Sequence, residues 1–156
     1  MDHFLPEDLE ALDRAIDRVK QEINKALKEA GDSCGESSET WHDNPGYEEG
    51  QRAATMWSTR LRQLLAIRQQ VNIIPYPRRP APDGRACIGH SLLLQDLATG
   101  KKQEWQLGSA MTFGESEYRV SYQSPLGQVL LGATVGDLLQ VDFGGRTTSL
   151  LVLDVK

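Results

Sequence analysis

Cysteine is scarce in this chain. Cys34 and Cys87 are the only two in 156 residues, far apart and in different kinds of sequence. They lack metal-ligand spacing and read as two free thiols of a reducing compartment. Long apolar runs are absent as well: no stretch approaches the roughly 20 residues of a membrane span. The opening MDHFLPEDLE has neither the basic nor the apolar region of a signal peptide. A cytoplasmic location without membrane contact is therefore expected. Hydrophobic residues make up 39%, somewhat few for one large core, and charged residues 25%, which suits a soluble folded chain. The length fits one ordinary domain, or a long hairpin with a small domain attached.

Charge of one sign is missing from two neighbouring stretches. Residues 31–50 hold six acids (Asp32, Glu36, Glu39, Asp43, Glu48, Glu49) and no Lys or Arg. Residues 51–80 hold six arginines (Arg52, Arg60, Arg62, Arg68, Arg78, Arg79) and no acid. Residues 1–30 mix eight acids with five bases, and the remainder is nearly balanced. Charge runs are commonly solvated faces. Adjacent blocks of opposite sign also create a directional field suited to docking into a charged cleft.

What is present first is a period. Leu5, Leu9, Leu12, Ile16, Val19, Ile23, Leu27 and Ala30 recur at spacings of four and three, the seam of a coiled coil. Pro6 in the first turn, followed by Glu7 and Asp8, suits a helix start. Tyr47, Ala54, Trp57, Leu61, Leu64 and Val71 give a second stripe. The two predict an antiparallel hairpin over 1–74 with an acidic tip near 36–49. Thirty residues of helix reach about 45 Å. PYPRRPAPDG, with four prolines, predicts a stiff linker over 75–84.

From 85 to 156 the period becomes strand-like. Ala86–Leu94 and Lys102–Leu107 flank the turn signal DLATG, and Tyr118–Tyr122 is a further short strand. Ser124 and Pro125 suit an N-cap and first helical position for a short helix through Leu131. Leu138–Phe143 and Thr147–Val155 predict a last hairpin across Gly144-Gly145. The fold class is α+β: a helical hairpin, then a small antiparallel-sheet domain with one short helix.

VSYQSPLGQVLLGATVGDLLQVDFGG (Val120–Gly145) resembles the closing motif of the Gre family of bacterial transcript-cleavage factors. Ser124-Pro125, Leu131-Gly132, Val135-Gly136-Asp137 and Gly144-Gly145 fall in that motif's order. LQDLATGKKQEWQL looks like the same family's first hairpin, and the N-terminal coiled coil extends the likeness over nearly the whole chain. The resemblance implies a C-terminal domain similar to FKBP-type prolyl isomerases. That domain would dock at the rim of the secondary channel of bacterial RNA polymerase, while the coiled coil brings its acidic tip to the catalytic magnesium. The expected partner is then the polymerase, with the nascent RNA 3′ end engaged indirectly and the chain itself monomeric. The implied catalysis is the polymerase's, with no resident cofactor, and the magnesium is held only in the complex.

The family tip reads roughly Asp-x-x-Glu-Asn-Ala-Glu-Tyr, and the best overlay puts Asp43-Asn44-Pro45-Gly46-Tyr47 on its second half. Asp43 takes the place of the key glutamate as shared magnesium ligand. The first acid falls at Thr40, which has no carboxylate; Glu39 is next to it. Magnesium prefers hard oxygen ligands, usually one or two carboxylates, and a metal pair stabilises both oxygens of a phosphodiester displacement. The altered pair favours an inhibitor or modulator of elongation over a stimulator of transcript cleavage. Trp41 would stack or wedge near the nucleotide path, or close the seam as Tyr47 would. His42 is a ligand, proton carrier or pH-sensitive charge, or a plain loop imidazole. Asp43 or Asn44 could instead cap the second helix. Gln123, Ser124 and Pro125 match the family's polymerase-contact surface, and Arg52, Arg60 and Arg62 suit an acid-lined channel or RNA backbone.

Two readings from other classes remain. A prolyl isomerase rests on fold likeness alone, and its expected aromatics (Trp105, Phe113, Tyr118, Tyr122, Phe143) are scattered in sequence. A coiled-coil adaptor without polymerase contact would be insensitive to the loss of Glu39 and Asp43 charge.

Overall fold

A computed structural model describes residues 1–35, 44–113 and 117–156. The chain divides into two compact units, Glu10–Gln70 and the combination of Met1–Leu9 with Val71–Lys156.

The helical unit is built from α1 (Pro6–Gly35), whose first turn lies outside it, and α2 (Pro45–Gln69). They run antiparallel, with Arg68 Nε 2.7 Å from Asp13 Oδ1 towards one end and Asn44 bonded to Ser33 at the other. Leu12, Ile16, Val19 and Ala30 are buried as the seam requires. Leu27 departs from that expectation: it is 47% exposed, and Ala26 is buried in its stead. The reason is how closely the helices approach here. A Cβ on Gly50 would lie 2.7 Å from Ala30 Cβ and 3.0 Å from the Ala26 carbonyl oxygen, so only small residues fit. On α2, Ala54 and Leu64 are buried and Trp57 and Leu61 half-buried, whereas Tyr47 is exposed.

The second unit is a curled five-stranded sheet. Its strands are β3 (Ser91–Asp96), β4 (Lys102–Gly108), β5 (Arg119–Ser121), β6 (Leu138–Phe143) and β7 (Arg146–Val155), preceded by a small pair, β1 (Asp2–Phe4) and β2 (Val71–Ile73). The order is β5-β4-β3-β7-β6. All neighbours are antiparallel except β4 and β5, which run parallel, and β3 carries a register shift at Leu93/Leu94. The final hairpin turns at Gly144 and Gly145, both at positive φ, as its tight turn demands. Helix α3 (Pro125–Leu130) sets Leu126 and Leu130 into a core with Leu92, Leu94, Leu107, Val141 and Val152.

Parallel pairing of β1 with β2, with Phe4 opposite Ile73, joins the first residues of the chain to this unit. Phe4 and Leu5 are fully buried there. The residue spans therefore differ from the expected 1–74, 75–84 and 85–156. Leu5 precedes α1 as its N-cap position rather than joining the seam, and Val71 lies in β2 rather than on the second stripe. The proline-rich stretch is not a free spacer: His90 Nε2 lies 2.9 Å from the Arg78 carbonyl, Arg79 bonds the Gly89 carbonyl, and Pro77 Cδ would stand 2.6 Å from a Cβ on Gly89.

Candidate functional site

Among the expected tip residues, Glu39, Thr40, Trp41, His42 and Asp43 lie outside the described residues, and so does Glu36. Asn44 is described, and its role is structural. Its Oδ1 accepts a bond from Tyr47 N at 3.4 Å, capping α2, with Pro45 in the first helical position. Its Nδ2 donates to the Ser33 carbonyl at 2.7 Å, one of the orphan acceptors at the end of α1. One amide thus closes the end of one helix and the start of the next. Of the two capping candidates, Asn44 holds the position.

Arg52, Arg60 and Arg62 are all exposed on α2. Arg52 is 3.7 Å from Glu48, while Arg60 and Arg62 make only long contacts, to Gln63 Oε1 at 3.4 Å and Thr59 Oγ1 at 3.3 Å. Such exposed contacts are worth little, so the fold makes little claim on these three guanidinium groups and an acidic surface could engage them.

In the sheet unit, Ser124 Oγ accepts from Gly127 N at 3.0 Å and donates to the Ser121 carbonyl at 2.7 Å, fixing the turn between β5 and α3. Pro125 takes the first helical position. Ser124 is thereby committed to the fold, and Gln123 and Pro125 are the exposed members of the trio. The Gln123 amide reaches Asp2 Oδ1 at 2.9 Å and the Tyr122 hydroxyl at 3.2 Å.

The aromatics that are scattered in sequence are partly gathered by the sheet. Trp105 and Tyr118 meet edge-on at 5.6 Å, and with Phe143, Leu94, Leu126 and Leu150 they line an apolar cleft of about 280 Å³. Asp96, Lys101, Gln103 and Thr148 complete its wall. Phe113 and Tyr122 do not line it. Its volume falls just below the usual range for ligand pockets.

Two features that imitate chemistry do not support it. Cys87 Sγ lies 3.4 Å from His90 Nδ1, but that nitrogen already accepts from Cys87 N at 3.1 Å, and Nε2 faces the Arg78 carbonyl. The proton must sit on Nε2, and both ring nitrogens are occupied by backbone. Burial, followed by Asp83, pushes the Cys87 thiol up, the opposite of an activated nucleophile. Among the described residues, no three His, Cys, Asp or Glu side chains converge on a metal position.

Tyr76 lies beside Glu7, Arg79 and Gln106. The side chain is 39% exposed, and partial burial, followed by the Glu7 carboxylate, raises its phenol to about 12. A group whose folded value is raised contributes stability that is whole below its unfolded value near 10 and is lost as pH climbs through the folded one. The sheet unit is accordingly expected to lose stability between about pH 10 and pH 12. Tyr76→Phe flattens that slope in denaturation midpoints measured across the range.

Residues 81–156 match the family described as "Transcription elongation factor, GreA/GreB, C-term", which covers the sheet, α3 and both hairpins. A "Transcription elongation factor GreA" of Nitratidesulfovibrio vulgaris is 27% identical over 139 residues, 87% of this chain and 81% of that protein. The sheet unit is thus a match to the Gre C-terminal domain, and the chain resembles GreA factors over most of its length. The GreA of Thermosipho africanus is 26% identical over 99% of this chain and 96% of its own. The GreA of Syntrophus aciditrophicus is 30% identical, but over only 47% of this chain and 45% of that protein. A solved structure of GreA factor homolog 1 (Gfh1) from Thermus thermophilus is 23% identical, covering 99% of this chain and 97% of the other, with a TM-score of 0.42. That overlap is too loose to add to the sequence match.

Sequence reasoning missed the polar cluster that joins Asp8, Ser109 and Arg119. Its members are separated by about a hundred positions, and no local signal links them.

Proposed function

We propose that the chain binds bacterial RNA polymerase at the secondary channel and modulates elongation through its acidic tip, acting as an inhibitor rather than a stimulator of transcript cleavage. One observation carries this reading. A match to the Gre C-terminal domain is joined to a helical hairpin whose residues 31–50 hold six acids and no Lys or Arg, with Thr40 where the family resemblance puts the first carboxylate. A single carboxylate at Asp43 can reach the polymerase magnesium as a ligand. It cannot hold a second ion and its attacking water as a pair does. Occupying the site without completing it slows nucleotide addition.

The surfaces described above suit such docking. Gln123 and Pro125 stand exposed beside α3. The cleft lined by Trp105, Tyr118 and Phe143 supplies apolar contact. Arg52, Arg60 and Arg62 meet an acid-lined channel or the RNA backbone. The metal and the catalysis belong to the polymerase, the nascent 3′ end is affected indirectly, and the protein works as a monomer.

The test is an isolated backtracked elongation complex incubated with wild-type protein or Asp43→Asn. Slower nucleotide addition without release of short 3′ fragments, relieved tenfold or more by Asp43→Asn, is the expected result. Fast fragment release would establish cleavage stimulation instead. Failure to bind core polymerase, or to compete with an authentic Gre factor, would remove both.

A further inference from the structure

Helix α1 starts without a capping side chain of its own. Leu5 holds the N-cap position: its carbonyl accepts from both Asp8 N and Leu9 N at 3.1 Å, but its side chain is aliphatic and fully buried. Leu5 N–H would be orphaned there, since only polar caps or water satisfy the first amides of a helix. Ser109, just past the end of β4, fills the gap. Its Oγ accepts from Leu5 N at 2.8 Å and donates to Asp8 Oδ2, and its own N–H points to the same oxygen at 3.4 Å.

In a capping box the acidic or amide side chain at the third helical position bonds the N-cap amide directly. Here Asp8 is in that third position and acts through the Ser109 hydroxyl, supplied from 101 residues away. Asp8 is 1% exposed and Ser109 fully buried, so water does not substitute for either. Arg119, on β5, neutralises the buried acid: its Nη2 lies 2.9 Å from Asp8 Oδ2 and 2.7 Å from Glu7 Oε1. Two atoms of the cluster, Asp8 Oδ1 and Arg119 Nε, have no hydrogen-bond partner among the described residues, so the arrangement depends on the bonds that are made.

We propose that Ser109 and Arg119 are positioning residues which complete the start of α1 from the sheet unit, fixing the residue at which the helix begins. The first turn of α1 is thereby completed by residues from far along the chain, beside its own Pro6, Glu7 and Asp8.

Hydrogen exchange on the full chain, free of any partner, tests this and is independent of the polymerase reading. In Ser109→Ala and in Arg119→Met, the amides of residues 8–13 are expected to exchange at least about fivefold faster, the scale of a lost cap. Amides of β3 and β7 should stay within about twofold. Arg119→Lys, which still presents a cation to Asp8, should return the helix start to within about twofold of wild type. Unchanged exchange at residues 8–13 would overturn the proposal, as would equal acceleration throughout β3 and β7. Should Arg119→Met fail to fold, Ser109→Ala removes only a hydroxyl and decides the matter alone.

Discussion

Gly127→Ala is expected to cost the sheet unit at least about 4 kcal/mol, in the range reserved for severe core lesions. A Cβ at this position would sit 1.9 Å from the Ser121 carbonyl oxygen, 2.7 Å from its carbon and 2.8 Å from Tyr122 Cα. All three are backbone atoms of the turn between β5 and α3, so no rotamer change relieves the collision. The same turn is held by Ser124, whose hydroxyl bonds both Gly127 N and the Ser121 carbonyl. Backing α3 away would uncover Leu126 and Leu130, both buried in the core. Urea denaturation followed through Trp105, which lies in this unit, reads the loss. Gln128→Ala, at an exposed position on the same helix, should stay within about 0.5 kcal/mol of wild type. A Gly127→Ala midpoint close to wild type would mean that α3 is not seated on that turn.

In the helical unit, the same exchange of glycine for alanine should act in opposite directions at two positions. A Cβ on Gly31 would meet nothing within 4 Å, so Gly31→Ala gains the helix preference of alanine, about 0.5–1 kcal/mol. Gly50 faces Ala30 Cβ at 2.7 Å and the Ala26 carbonyl at 3.0 Å from where its own Cβ would stand. There the gain in preference is outweighed by overpacking, which typically costs about 1–3 kcal/mol, and Gly50→Leu forces the helices apart with a larger loss. Thermal melts of the two alanine variants and of Gly50→Leu, read by helical circular dichroism, give the signs. Stabilisation by Gly50→Ala would contradict the close approach of α1 and α2.

Much of the architecture is legible along the chain because its signals are local. Spacings of three and four residues mark both helices. Ser124-Pro125 marks the start of α3, and Gly144-Gly145 the last hairpin, with strand limits at Leu138–Phe143 that coincide with those observed. What escapes is long-range. β1 and β2 are three residues each and pair in parallel across almost seventy positions, so neither has a pattern of its own. Ala26 replaces Leu27 because of a glycine on the other helix. The prolines of 75–80 read as a spacer by composition, yet their neighbours find partners at Gly89 and His90.

The candidate site divides along the same line. Asn44 and Ser124 are recognisable as caps because each stands directly before a proline. The cleft of Trp105, Tyr118 and Phe143, by contrast, exists only once the sheet curls. Asp8 reads simply as an acid in a first helical turn, with nothing nearby to announce Ser109 or Arg119.

The amide of Asn44 clasps the Ser33 carbonyl. With its Oδ1 on Tyr47 N and its Nδ2 on α1, this one side chain works as a rivet through both helices, so Asn44→Ala would undo two terminal bonds in a single step.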